Sequence, residues 1–114
     1  MGEIVMSMAP RGVKASMEGR KTCTARLRPK GKIGDVFQLD GKWFGLTAVY
    51  IDELEAHADQ FFKAEGYDSP SEFLADFCEL SDVVYCPVLP IVVHWYWPVA
   101  SEQLPVYARS EVVS

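Results

Sequence analysis

The sequence predicts a small α+β domain, a mixed β-sheet with two to three helices packed on it, and three observations point to that class. Asp40-Gly41 sits between two β-rich runs, as the tight turn of a hairpin would. Residues 53–65 and 69–80 carry helical spacing and helix-start residues. Residues 83–99 are β-branched and aromatic but interrupted by prolines, which exclude a long helix. Strands and helices therefore alternate irregularly around one sheet.

Taken in chain order, Ile4 to Met8 alternates weakly and is expected to form a first strand ending before Pro10. Pro10 suits the first turn of a short helix that Gly19 would stop. Lys21 to Leu27 is threonine-rich and alternating, and reads as a strand. Arg28 to Gly34 mixes proline and two glycines with basic residues and is expected to be a mobile loop. The hairpin follows, Asp35 to Leu39 and Trp43 to Ile51. In the next segment Leu54, Ala58, Phe61 and Phe62 share one helical side, and Gly66 is the stop. Ser69 is a good cap for the second helix, with Pro70 in its first turn and Glu72 at capping-box distance. The proline-broken run then supplies the closing strand.

The chain has 114 residues, 49% hydrophobic and 24% charged, which is the range of one globular domain. That length buries about two thirds of its unfolded surface without disulfides or a structural metal. Glu3 and the lack of a basic lead-in argue against a secretory signal. The apolar stretch from Val88 to Ala100 is too short to span a bilayer, so no membrane partner is expected. Three cysteines, Cys23, Cys78 and Cys86, show no Cys-x-x-Cys spacing, which fits reduced thiols and a cytoplasmic location.

The net charge of −5 argues against nucleic acid, but its distribution does not. Residues 1–34 hold eight basic groups against two acidic ones, and the remainder holds three against fourteen. Such a polarised chain attracts phosphate locally.

The chemistry concentrates in Gly19 to Arg26. Strand alternation puts Thr22, Thr24 and Arg26 on one face and Cys23 and Ala25 on the other, toward the core. Lys21 joins Thr24 only if it sits at the turn leaving Gly19, before alternation begins. A lysine with a neighbouring cation or a dry setting serves as a base, and a threonine beside it as a nucleophile. Arginine suits phosphate or base stacking. Equally, Thr22 and Thr24 read as ordinary strand residues, and Lys21 and Arg26 as surface cations. His57 has no second histidine or cysteine at ligand spacing, so neither metal nor cofactor is expected. His94 reads as a core or rim histidine with one hydrogen-bond partner, and Cys23 as a packed thiol.

In order and spacing these residues resemble the ASCH domain family, a PUA-related fold. That family shows a Gly-x-Lys-Thr-x-Thr-x-Arg stretch after its first helix, matched by Gly19-Arg20-Lys21-Thr22-Cys23-Thr24-Ala25-Arg26. Gly34-Asp35 before a hairpin, Glu65-Gly66-Tyr67, Ser71-Glu72-Phe73 and His94-x-Tyr96 follow in the family's order, so the resemblance covers roughly residues 13 to 97. It implies a PUA-like small mixed β-barrel over residues 1–100, with 101–114 as a tail or edge strand. Some bacterial members hydrolyse the amide of acetylcytidine, using a lysine as proton acceptor, a threonine as nucleophile and a glutamate as proton donor. By motif position these would be Lys21, Thr24 and Glu65. Arg20, Thr22, Arg26 and Tyr67 would contact the ligand, Tyr67 by stacking on a base. Other members bind or cut RNA, a role in which Arg28, Lys30 and Lys32 would hold phosphates. Three readings stay open: a nucleoside hydrolase, an RNA-binding or ribonuclease-like module, and a domain whose basic strand meets an acidic protein. The sequence does not set the oligomeric state.

Overall fold

Local sequence chemistry accounts for most element boundaries in the computed structural model, which describes residues 2–100 and Leu104. Pro10 opens α1 (Pro10–Met17), and Gly19 at φ 78° turns the chain out of it. The strand β1 is short (Cys23–Arg26). Asp40 and Gly41 both take positive φ, 50° and 80°, which joins β2 (Val36–Leu39) to β3 (Lys42–Glu53) by the expected tight turn. The helix α2 (Leu54–Phe61) follows β3 directly. In α3 (Pro70–Ser81) the Ser69 hydroxyl accepts from the Glu72 N–H at 3.2 Å, and Asp82 ends the helix in a left-handed conformation. The last strand, β4 (Pro90–Pro98), begins only after the proline-rich approach.

The four strands are ordered β1-β4-β3-β2, and each neighbouring pair is antiparallel. A shift of register between Leu46 and Ala48 sharpens the bend of β3. The parallel component of this half-barrel is a single bridge, Glu3 to Val36. That bridge replaces the strand expected over Ile4 to Met8. The Ile4 N–H donates to the Val36 carbonyl at 2.9 Å and the Val36 N–H to the Gly2 carbonyl at 2.8 Å, before the chain leaves toward Pro10.

The two larger of three buried clusters among the described residues lie against the sheet. One packs Cys23, Ala25, Ile91 and Val93 against Leu54, Ala58, Phe73 and Phe77 of the two later helices. The other gathers Met6, Phe37, Phe44, Leu46 and Tyr96, with Val13 and Met17 of α1 against it. The alternation expected in β1 therefore holds for Cys23 and Ala25. Among the described residues no helix is long and apolar enough to cross a membrane. The tail expected over 101–114 falls outside the described residues except Leu104, which is buried with Val36 and Trp43.

The loop Arg28–Gly34 is held at more points than its composition suggests. The Lys30 N–H donates to His94 Nε2 at 3.0 Å, and His94 Nδ1 donates to the Thr24 carbonyl at 3.2 Å. Asp35 accepts from Lys32 N and Gly2 N, both at 2.9 Å. His94 thus has two partners, which fix the neutral tautomer, and burial holds its pKa below the ordinary value.

Candidate functional site

Between α1, the start of β1 and the α2–α3 connection lies a cavity of about 330 Å³. Its wall includes Lys21, Thr24, Arg26, Glu65, Tyr67 and Arg11. The volume is at the lower end of what small-molecule sites offer.

Lys21 reaches this wall because the strand has not begun. Its N–H bonds the Ala15 carbonyl at 3.1 Å, which holds it against the end of α1, two residues ahead of β1. Glu65 arrives from the opposite side on the turns that follow α2, its N–H on the Phe61 carbonyl at 3.0 Å. Gly66 makes the approach possible. It has φ 91°, and a Cβ there would stand 3.3 Å from Ala15 Cβ and 3.5 Å from Lys21 Cβ.

The result is a buried ion pair. Lys21 Nζ donates to Glu65 Oε1 at 2.8 Å and to the Glu65 carbonyl at 3.1 Å, with the two side chains 8% and 3% exposed. The second carboxylate oxygen is also occupied: His57 Nε2 lies 2.7 Å from Oε2, and Cys23 Sγ donates to it from 3.7 Å. Burial alone would raise the Glu65 pKa, but the Lys21 charge and the His57 hydrogen bond outweigh it and hold the carboxyl below its ordinary value. Burial, followed by the Glu65 charge, pushes the Cys23 thiol far up, so it remains protonated and unreactive. Cys23, His57 and Glu65 offer donor atoms within 4.8 Å of one another. The Lys21 ammonium already supplies the positive charge at that carboxylate, and we assign no metal there.

Arg26 lies on the same wall. One Nη donates to the Ser7 carbonyl at 2.6 Å, while its Nε is buried without a partner among the described residues, a donor left for an occupant of the cavity. Tyr67 lines the cavity too, but its hydroxyl donates to Asp76 and the Arg11 guanidinium covers its ring at 4.5 Å. A stacking base would have to displace Arg11.

The other five candidates lie elsewhere. Thr22 faces a second cavity beside Phe44 and Tyr96, because β1 starts at Cys23 and Thr22 precedes the regular alternation. Arg20 pairs with Glu18 at 2.6 Å on the surface. Arg28, Lys30 and Lys32 are exposed on their loop. His57, passed over in the sequence, is fully buried at the centre of the polar cluster. Its signal was position: Leu54, His57, Ala58 and Phe61 form an i, i+3, i+4, i+7 stripe.

No known family profile matches the chain, and no curated protein does. Solved structures do match. The hypothetical protein PH0355 superposes on 87% of this chain and 100% of its own, with a TM-score of 0.64 at 15% identity. An ASCH domain from Lactobacillus crispatus JV V101 covers 85% of this chain and 78% of its own, with a TM-score of 0.54 at 12% identity. Protein EF3133 from Enterococcus faecalis V583 covers 86% and 78%, with a TM-score of 0.58 at 21% identity. At these identities the likeness is one of fold: a small α+β domain like that of the ASCH domain structure.

Proposed function

We propose that this ASCH-type domain binds a nucleobase in the Lys21–Glu65 cavity and hydrolyses an amide on the base's exocyclic amine, acetylcytidine being the most specific substrate. The supporting observation is the buried 2.8 Å Lys21–Glu65 pair on a wall that Thr24 shares. An ion pair so deeply buried is costly to keep for stability alone, and the same pair holds the one proton that amide hydrolysis must move.

The resting pair is an ammonium and a carboxylate. Transfer of one proton from Nζ to Oε1 converts it into an amine base and a carboxylic acid. Lys21 then takes the Thr24 hydroxyl proton as Oγ1 attacks the acyl carbonyl, and Glu65 protonates the departing exocyclic nitrogen. Water cleaves the acyl-threonine, releasing the carboxylic acid and restoring both residues. Overall, amide and water become amine and acid. The Arg26 Nε donor is available to a carbonyl oxygen of the base or the acyl group.

One pH limb follows. Below the depressed Glu65 pKa the pair holds two protons and Lys21 cannot act as base. The acidic limb of kcat is therefore expected below the usual glutamate range of about 4.3. The direct test is incubation of the protein with acetylcytidine. Release of cytidine and acetate is expected, and no turnover of any acylated nucleoside would end this reading.

The exposed basic loop favours a second reading, RNA binding through phosphate contacts. Neutralising Arg28, Lys30 and Lys32 together is then expected to weaken RNA binding and to flatten its salt dependence by about two to three units of the log–log slope, measured by titration over a salt series. An unchanged slope would reject it.

A further inference from the structure

We propose that His57 is a positioning residue for this reaction: its Nε2–H occupies Glu65 Oε2, so the proton exchanged with Lys21 and passed to the leaving nitrogen travels on Oε1 alone. The inference rests on the hydrolase reading for its catalytic consequence, but the contact itself does not.

The tautomer follows from what surrounds the ring. His57 is fully buried and packs on the rings of Phe61 and Phe73, both with centroids at 5.6 Å. Its Nε2 is 2.7 Å from Oε2, and among the described residues its Nδ1 has no partner. Of the possible states, the neutral ring protonated at Nε2 leaves only a lone pair unsatisfied. An imidazolium, or a neutral ring accepting from a protonated Glu65, would strand an Nδ1–H donor in an apolar setting. A stranded lone pair costs less than a stranded N–H, and far less than one on a charged ring. His57 therefore donates and does not relay.

The consequence falls on Glu65. Oε2 receives His57 and the Cys23 thiol, whereas Oε1 receives only Lys21. A proton placed on Oε2 would oppose the His57 N–H head-on. A proton placed on Oε1 exchanges with Lys21 Nζ across 2.8 Å. His57 thus selects which oxygen is the acid. The charged and titratable groups around Glu65 are Lys21 and Cys23 ahead of and within β1, His57 from α2, and at longer range Arg26, Tyr67, His94 and Tyr96. Among them only Lys21, Cys23 and His57 bond the carboxylate.

Three measurements test this. In the wild-type protein, ring ¹⁵N shifts of His57 are expected to report a proton on Nε2 and none on Nδ1, and an Nδ1–H would overturn the proposal. His57→Leu fills the site without a donor, whereas His57→Gln returns an N–H near the Nε2 position. The Leu variant is expected to lose about 10- to 100-fold in kcat, the worth of one hydrogen bond to a charged group, with KM little changed and the acidic limb moved to higher pH. The Gln variant is expected to recover most of the kcat and the wild-type limb. Equal behaviour of the two folded variants would overturn the proposal. Should either variant fold poorly, the Glu65 side-chain ¹³C titration in the folded fraction, at higher pH for Leu than for Gln, reads the same contact. Absence of turnover in the wild type together with that shift would reject the hydrolase reading while upholding the His57–Oε2 contact. Absence of the shift would reject the contact itself.

Discussion

Lys21→Met is expected to destabilise the fold by about 3–5 kcal/mol, the usual consequence of removing one partner from a buried ion pair. Lys21 and Glu65 are 8% and 3% exposed, so solvent cannot screen the carboxylate that remains. His57 and Cys23 still donate to it, but neither supplies the full charge. Lys21→Met with Glu65→Gln removes both charges and is expected to regain part of the loss, a coupling that a double-mutant cycle in urea unfolding measures. The pH dependence has a definite sign. In the wild type the Glu65 pKa is depressed, so its contribution to stability is present above the ordinary glutamate value and is lost as pH falls through the folded one. In the single variant burial dominates and the folded pKa rises, so the deficit is largest near neutrality and shrinks in acid. A loss below about 1 kcal/mol, with no pH dependence, would place the pair among solvent-screened surface bridges.

Thr24→Val is expected to lower turnover of acetylcytidine by about 10³-fold or more with the fold retained, since it removes the attacking oxygen and keeps the side chain's volume. Thr24 is buried on the cavity wall, and its backbone carbonyl, which anchors His94, is unaffected by the exchange. Thr24→Ser preserves a hydroxyl and is expected to retain measurable activity. Steady-state rates of the two variants decide the point. Full activity in Thr24→Val would mean that water attacks directly, with Lys21 as its base.

Much of the fold was legible because its signals are local. Asp40-Gly41 required positive φ at two successive positions, and Ser69-Pro70 required a helix start, whatever lay around them. Less was legible where partners distant in sequence decide. Ile4 to Met8 alternates like a strand, yet only Glu3 finds a sheet neighbour in Val36. The loop Arg28–Gly34 has a mobile composition, yet His94 and Asp35, brought in by the sheet and the hairpin, tie its backbone.

The site divides in the same way. Motif order pointed to Lys21, Thr24, Arg26 and Glu65, and the structure brings them to one cavity. Thr22 and Arg20 carried the same chemistry in sequence but are turned away, one by the late start of β1 and the other by its pairing with Glu18. His57 was weighed only as a metal ligand, and without a second histidine or cysteine at ligand spacing nothing in the sequence tied it to Glu65. Only the turn through Gly66 reveals that the buried stripe of α2 ends beside the carboxylate.

In the proposed reaction Gly19 to Arg26 presents Thr24 as a nucleophile served by the Lys21–Glu65 pair. Rapid acid quench of the protein during turnover of acetylcytidine, followed by peptide mass spectrometry, reads that step itself. An acetyl group on the peptide containing Thr24, absent in Thr24→Val, is the expected result. Cytidine release with no acetylated Thr24 at any time, or no cytidine release at all, would contradict it.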